Sequence, residues 1–361
     1  MSPIVRILTL LGGALVGVLM AALIINGNPG NMGICGACFT RDIAGALGLH
    51  AATTAQYLRP EVLGVILGAF AAAVLFREFR PRGGSSPLLK FILGAWVTIG
   101  ALVFLGCPFR AIQRLGGGDL NAVFGIAGLL GGIALGMVFT RRGFNTGRAT
   151  PQPAVMGFLM PAMAVALFAA LLFGASAIRS SVAGVGSLRA PVWLGFGLAL
   201  VAGVILQRTR FCTLGAFRGA LFYRDPQMLW TLFAIVVAYG VTLAIGGKFK
   251  LGMENQPIAH TNSLWNFGGM VLVGLTGSML GGCPVRLFVL SGEGNSDAAA
   301  AILGMIAGGA LAHNLNLASA PQTATSAGGP TTAGMIAVGI GVAFCIIIGV
   351  WMRNGAETQD A

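Results

Sequence analysis

Ten apolar runs, separated by short polar or glycine-rich stretches, set the frame of the chain. They lie at roughly 7–26, 61–77, 88–105, 120–139, 154–178, 191–206, 228–246, 264–281, 298–317 and 333–352. Several reach the roughly 17–25 apolar residues that a helix needs to cross a bilayer. The pattern predicts an all-α polytopic membrane protein with about ten membrane-spanning helices. The first run has Arg6 ahead of an apolar core, as a secretory leader would. No small-x-small cleavage site follows it and it has a counterpart in mid-chain, so we read it as a retained first helix.

Composition agrees with this class. Of 361 residues, 56% are apolar and 9% charged, against about 25% charged in a soluble domain. The net charge of +12 comes from 22 basic residues scattered between apolar runs. No basic stripe interleaved with aromatic residues is present, so the charge reads as topology signal and not as a nucleic-acid surface. With the N-terminus inside, the inward segments hold 14 of the 22 basic residues, Arg353 among them, and the outward segments hold 8. Ala318–Pro330 is polar and uncharged, as an outside loop is. The bias predicts N-terminus and C-terminus both in the cytoplasm.

The polar breaks carry the chemistry. Gly281-Gly282-Cys283-Pro284-Val285-Arg286 follows one apolar run, and Gly106-Cys107-Pro108-Phe109-Arg110 follows another. Proline suits the first position of a helix, so Cys107 and Cys283 are candidate N-caps facing free N–H groups. Arg110 and Arg286 return to the same face one turn later, and the helix start favours a small anion. Two more polar breaks, 27–49 and 207–225, align as Cys35-x5-Arg41 and Cys212-x5-Arg218. Cys35 and Cys212 stand 177 residues apart, and Cys107 and Cys283 stand 176 apart.

Two motifs sharing one offset predict an internal duplication. Its halves are 1–150 and 185–325, joined by a linking helix and loop at 151–184 and followed by a last helix and tail at 326–361. Five spans separate equivalent helices, so the repeat is inverted, a known design for transporter sites. Four re-entrant half-helices would each present a cysteine and an arginine, with irregular backbone tolerated where it lines a protein-walled path. The 57 glycines suit close helix packing.

These motifs resemble the YeeE/YedE family of sulfur-compound membrane transporters. The run Asn28-Pro29 through Cys35-Gly36-Ala37-Cys38 and on from Arg41-Asp42 to His50 is similar to its selenium-metabolism branch. So are Gln256-Pro257-Ile258-Ala259-His260, Leu264-Trp265-Asn266-Phe267 and Ala312-His313-Asn314. The resemblance covers nearly the whole chain. It implies a bacterial inner-membrane protein of hourglass shape that moves thiosulfate or a related sulfur or selenium species past cysteine thiols. By position these are Cys35 or Cys38, Cys107, Cys212 and Cys283. In this setting a cytoplasmic sulfurtransferase-like carrier protein of the TusA type would be the protein partner.

The residue chemistry fits that implication. Sulfur and selenium anions are soft, and thiols are weak donors and soft acceptors. A file of weak contacts strips water without binding too tightly, as conduction requires. Arg41, Arg110, Arg218 and Arg286 would supply charge selectivity, because arginine stays protonated. Neither a cofactor nor an enzymatic activity is expected. Cys345, in the last run, reads as packing, and Cys35-x-x-Cys38 lacks the second Cys or His pair a zinc site needs. Asp119 and Asp297 read as helix N-caps, and His260 and His313 as loop or packing residues. No acidic residue falls at the centre of a run, which argues against a pump built on a buried carboxylate.

Two rival classes remain: a thiol–disulfide relay started by Cys35-x-x-Cys38, and a membrane anchor for a sulfur or selenium carrier protein. A relay needs paired cysteines, and three of the motif cysteines stand alone in the chain.

Overall fold

The structure, a computed structural model, describes residues 3–352; Arg353 and the tail after it lie outside the described residues. All ten apolar runs are helices, and four shorter helices lie between them. The first half contains α1 (Pro3–Ile25), α2 (Gly36–Ala46), α3 (Pro60–Leu75), α4 (Pro87–Phe104), α5 (Pro108–Gly116) and α6 (Asn121–Arg141). After α7 (Ala154–Leu172) come α8 (Val192–Thr209), α9 (Thr213–Phe222), α10 (Gln227–Ile245), α11 (Ser263–Leu280), α12 (Pro284–Gly292), α13 (Ser296–Asn314) and α14 (Thr332–Trp351). Among the described residues a single pair of short strands, β1 (Arg82–Gly83) and β2 (Thr150–Pro151), ties two loops together.

Among the described residues, nine helical segments are long and apolar enough to cross a membrane, three of them counted with the short helix that follows. The chain is therefore a multi-pass, all-α membrane protein. The tenth expected span is α3, only 16 residues long; at 1.5 Å per residue it reaches about 24 Å, short of a full hydrocarbon core.

Local chemistry sets the helix ends. Proline opens α3, α4, α5 and α12, where its missing N–H costs nothing. Asn262, Asn295 and Thr331 cap α11, α13 and α14 with a side-chain oxygen. The two long helices that lead into Gly-Cys-Pro both stop at a left-handed residue. Gly281 ends α11 at φ 86°, and Leu105 ends α4 at φ 61°. Glycine takes that conformation without strain, whereas for leucine it costs roughly 1–2 kcal/mol.

Equivalent elements recur at the spacing of the motifs. Both bounds of α4 and α11, and both bounds of α5 and α12, differ by 176 residues. The packing partners exchange in the same way: α6 lies on α11 as α13 lies on α4, and α1 lies on α10 as α8 lies on α3. On α6, Gly128 faces the Phe267 carbonyl of α11 and Gly132 the Val271 carbonyl, so these helices run parallel. On α13, Gly304 faces the Phe91 carbonyl of α4 and Gly308 the Ala95 carbonyl, again parallel. The equivalent helices α4 and α11 cross each other in opposite directions, with Gly100 against Leu272 and Phe104 against Gly269. Small residues at these crossings bring backbones into contact, as membrane helix packing favours.

One face of the bundle carries the connections 26–59, 173–191, 246–262 and 315–331. The other carries 76–86, 142–153, 210–226 and both ends of the described chain. We call these the loop face and the terminal face.

Candidate functional site

Each short helix begins at a motif cysteine. Cys35, Cys107, Cys212 and Cys283 occupy the N-cap positions of α2, α5, α9 and α12, all with extended backbone. The capping differs from the sequence expectation. Cys35 accepts the Cys38 N–H at 3.4 Å and Cys212 the Gly215 N–H at 3.4 Å, an equivalent pair. Cys107 and Cys283, the two Cys-Pro residues, make no side-chain bond to their own helices. The Cys107 thiol instead takes the Gly36 N–H, at the start of α2, at 3.2 Å. The thiol turns from its own helix to the neighbouring helix start.

That turn pairs cysteines that are far apart in the chain. Cys35 Sγ and Cys107 Sγ are 3.6 Å apart. In the second half the Cys283 N–H meets Cys212 Sγ at 3.4 Å. The two pairs adjoin: Gly36, next to Cys35, sits against Pro284, next to Cys283, and no Cβ would fit between them. Phe109 of α5 and Phe211, just before Cys212, close the opposite flank with ring centroids 6.0 Å apart. Four helix N-termini thus converge on one buried centre, each bringing free N–H groups and the positive end of a helix dipole. The expectation that three motif cysteines stand alone holds for the chain and fails in space.

The arginines differ in their surroundings. Arg110 is buried; it donates to the carbonyls of Leu105, Asn31 (3.0 Å) and Ile258 (3.2 Å), and lies 3.8 Å from Cys38 Sγ. Arg41 is bound to the neighbouring Asp42 at 2.5 Å, and Asp42 also holds the buried Arg59 at 2.7 Å. Arg286 lies 3.4 Å from Glu293, and its Nη1 is buried without a hydrogen-bond partner. Arg218 lines a small cleft with Cys212, Ser278 and Gly281. Cys345 is buried in α14, away from these elements.

The two ends of the centre are not alike. On the loop face the segment around Pro257–His260 covers Arg110, and His260 bonds the Val103 carbonyl at 2.9 Å. Cys35 is fully buried there, while Cys212 keeps 9% of its surface exposed. Beyond Cys212, on the terminal face, Glu78 holds Arg210 at 2.9 Å and Arg208 at 3.1 Å, and Glu293 holds Arg82 at 3.2 Å. The Gln207 amide, followed by the two guanidiniums, keeps the Glu78 carboxyl below its usual range.

Several site residues escaped the sequence reading. Gln113 accepts the Gly33 N–H at 2.8 Å and donates to the Ile34 carbonyl at 2.6 Å, fixing the loop that delivers Cys35. Arg114 is bound to Asp119 at 2.6 Å. The i, i+3, i+4 stripe Arg110, Gln113, Arg114 in an apolar setting was the available signal for both. Lys90, buried in α4, donates to the Met279 and Leu280 carbonyls at 3.3 Å, where α11 ends. The cap assignments also change. Asn295, not Asp297, caps α13, and Asp297 takes the Ser85 hydroxyl at 2.6 Å. Asp119 takes the Asn121 N–H at 3.0 Å in addition to Arg114.

The fold and centre define a helical membrane protein whose half-helices present thiols to a buried meeting point. Residues 208–359 match the family model Sulf_transp, described as sulphur transport. That stretch includes Cys212, Arg218, Cys283 and Arg286. No curated protein matches the chain.

Proposed function

We propose that the chain is an inner-membrane transporter of a small sulfur- or selenium-containing anion, thiosulfate or a selenium relative. The observation that carries this reading is the convergence of four cysteine-started half-helices in the interior of the helix bundle. The sulphur-transport match over the second half points the same way. An anion at this centre meets helix N-termini, which favour negative charge, and thiols, which hold a soft anion weakly enough to release it.

The residues divide the task. Cys212 and Cys283 form the station toward the terminal face, beside Arg218 and beside Arg286, which lies 3.4 Å from Glu293 and keeps its Nη1 without a hydrogen-bond partner. Cys35 and Cys107 form the second station, with Cys38 and Arg110 behind them. Arg41, neutralised by Asp42, acts on the field more weakly than Arg110, which has no carboxylate in the ion pairs of the described residues. We read residues 1–150 and 185–325 as the inverted halves and place the terminal face, with both chain ends, in the cytoplasm. A sulfurtransferase-like carrier protein would then receive the anion on the terminal face, at the Cys212 end.

The test is uptake of radiolabelled thiosulfate, selenite and sulfate into proteoliposomes containing this protein alone. Thiosulfate or selenite should enter well above empty vesicles, and sulfate, which has no soft atom, should not. Equal entry of sulfate would reduce the centre to a plain anion channel, and no entry of any of the three would remove the transport reading.

A further inference from the structure

One sulfur–sulfur contact in the centre carries a chemistry beyond passage. Cys35 Sγ and Cys107 Sγ approach to 3.6 Å from the starts of two different helices. Both cysteines are buried and free. Cys38, although only three residues from Cys35, presents its backbone N–H to the Cys35 sulfur, and its own sulfur lies beside Arg110. Cys35 thus meets Cys107 sulfur to sulfur across two helix starts, while Cys38, its other thiol neighbour, turns its sulfur toward Arg110 as well.

The geometry points to Cys35 and Cys107 as a dithiol site that reduces S–S-bonded sulfur oxyanions, polythionates, and closes to a disulfide. In the first step one thiol loses its proton and attacks an inner sulfur of tetrathionate. The central S–S bond breaks, one thiosulfate leaves, and a cysteine–S–SO3 adduct remains. In the second step the partner thiol loses its proton and attacks the cysteine sulfur of that adduct, releasing a second thiosulfate. Two thiols have lost two electrons and two protons, and one tetrathionate has become two thiosulfates. The bond ties the start of α2 to the start of α5 and removes both thiols of that station from the path. Thiol reductant restores them. The inference rests on the proposed anion path only for access of the charged oxidant to these buried sulfurs.

The experiment treats the reduced full-length protein in nanodiscs with tetrathionate or, separately, with the neutral oxidant diamide, and maps the crosslinks by peptide mass spectrometry. Both reagents should give Cys35–Cys107, reversed by dithiothreitol. With tetrathionate, Cys107→Ser should lower disulfide formation by Cys35 at least about tenfold and leave the –S–SO3 adduct on Cys35. A Cys35–Cys107 bond with diamide but none with tetrathionate overturns the polythionate chemistry and counts against the anion path, while leaving the sulfur pairing in place. A Cys35–Cys38 bond, or no bond at Cys35 with either reagent, in protein that keeps its melting temperature, overturns the pairing itself. Cys35→Ser serves as the reciprocal variant should Cys107→Ser fail to fold.

Discussion

Gln113→Leu isolates the device that delivers Cys35 to the centre. The first half needs ten residues to travel from the end of α1 at Ile25 to Cys35, where the second needs three from Thr209 to Cys212. The longer excursion is held by Gln113, which takes the Gly33 N–H at 2.8 Å and gives to the Ile34 carbonyl at 2.6 Å. Asn28 and Arg110 provide the other anchors, on Gly33 O at 3.2 Å and Asn31 O at 3.0 Å. Leucine keeps nearly the volume of glutamine, so no large cavity is made, but three buried backbone groups lose their partner: the Gly33 N–H, the Ile34 carbonyl and the Ile34 N–H, which shares the same oxygen at 3.4 Å. At about 1–3 kcal/mol for each unsatisfied group, the native loop is penalised by about 3–9 kcal/mol.

The loop relieves that penalty by moving, and a shift of about 1 Å separates a sulfur pair held at contact distance. Uptake in proteoliposomes should fall at least about tenfold, and the diamide crosslink between Cys35 and Cys107 should fall with it. Alkylation of Cys212, in the other half, should be unchanged. Wild-type uptake together with a wild-type crosslink yield in Gln113→Leu would refute the argument that this side chain positions the site.

Three further outcomes follow from the same geometry. Gly36→Ala drives a Cβ into Pro284 at the contact between halves and should lower the melting temperature by the equivalent of about 1–3 kcal/mol; Gly339→Ala in α14, with nothing within 4 Å, is the neutral control. Asp42→Asn leaves buried Arg41 and Arg59 without their shared anion and should cost about 3–5 kcal/mol, read by thermal unfolding in detergent, where an unchanged midpoint would contradict the ion triad. Because Cys283 does not cap its own helix while Cys212 does, Cys283→Ser and Cys283→Ala should be equally stable; Cys212→Ala should lose about 0.5–2 kcal/mol, which Cys212→Ser should restore.

Much of the architecture was legible in the residues because membrane helices are long, apolar and bounded by polar breaks. All ten runs became helices, and the 176-residue offset of the Cys-Pro-x-Arg units, within one residue of that of the Cys-x5-Arg units, reappears in the bounds of α4 and α11. What the chain order hides is proximity. Cys35 and Cys107 are 72 residues apart and touch, so counting them as solitary thiols understated their chemistry. The ion partners were equally hidden: Asp42 reaches Arg59 and Glu293 reaches Arg82 across distant segments. The cap assignment of Asp297 missed for a local reason, whereas Asp119 does take the first N–H of α6. Asn295 precedes Asp297 by two residues and reached the helix start first, leaving the carboxylate for Ser85.

Radiolabelled thiosulfate uptake by proteoliposomes of the wild type, Cys107→Ser, Cys283→Ser and Cys345→Ser tests the thiol path most directly. Serine keeps a small polar group at each position and removes only the soft sulfur. In the proposed path Cys107 and Cys283 belong to different stations, so either change should cut uptake at least about tenfold, while Cys345→Ser, in α14, should leave it unchanged. Wild-type uptake by Cys107→Ser or Cys283→Ser, in protein of normal stability, would contradict the claim that sulfur passes from thiol to thiol.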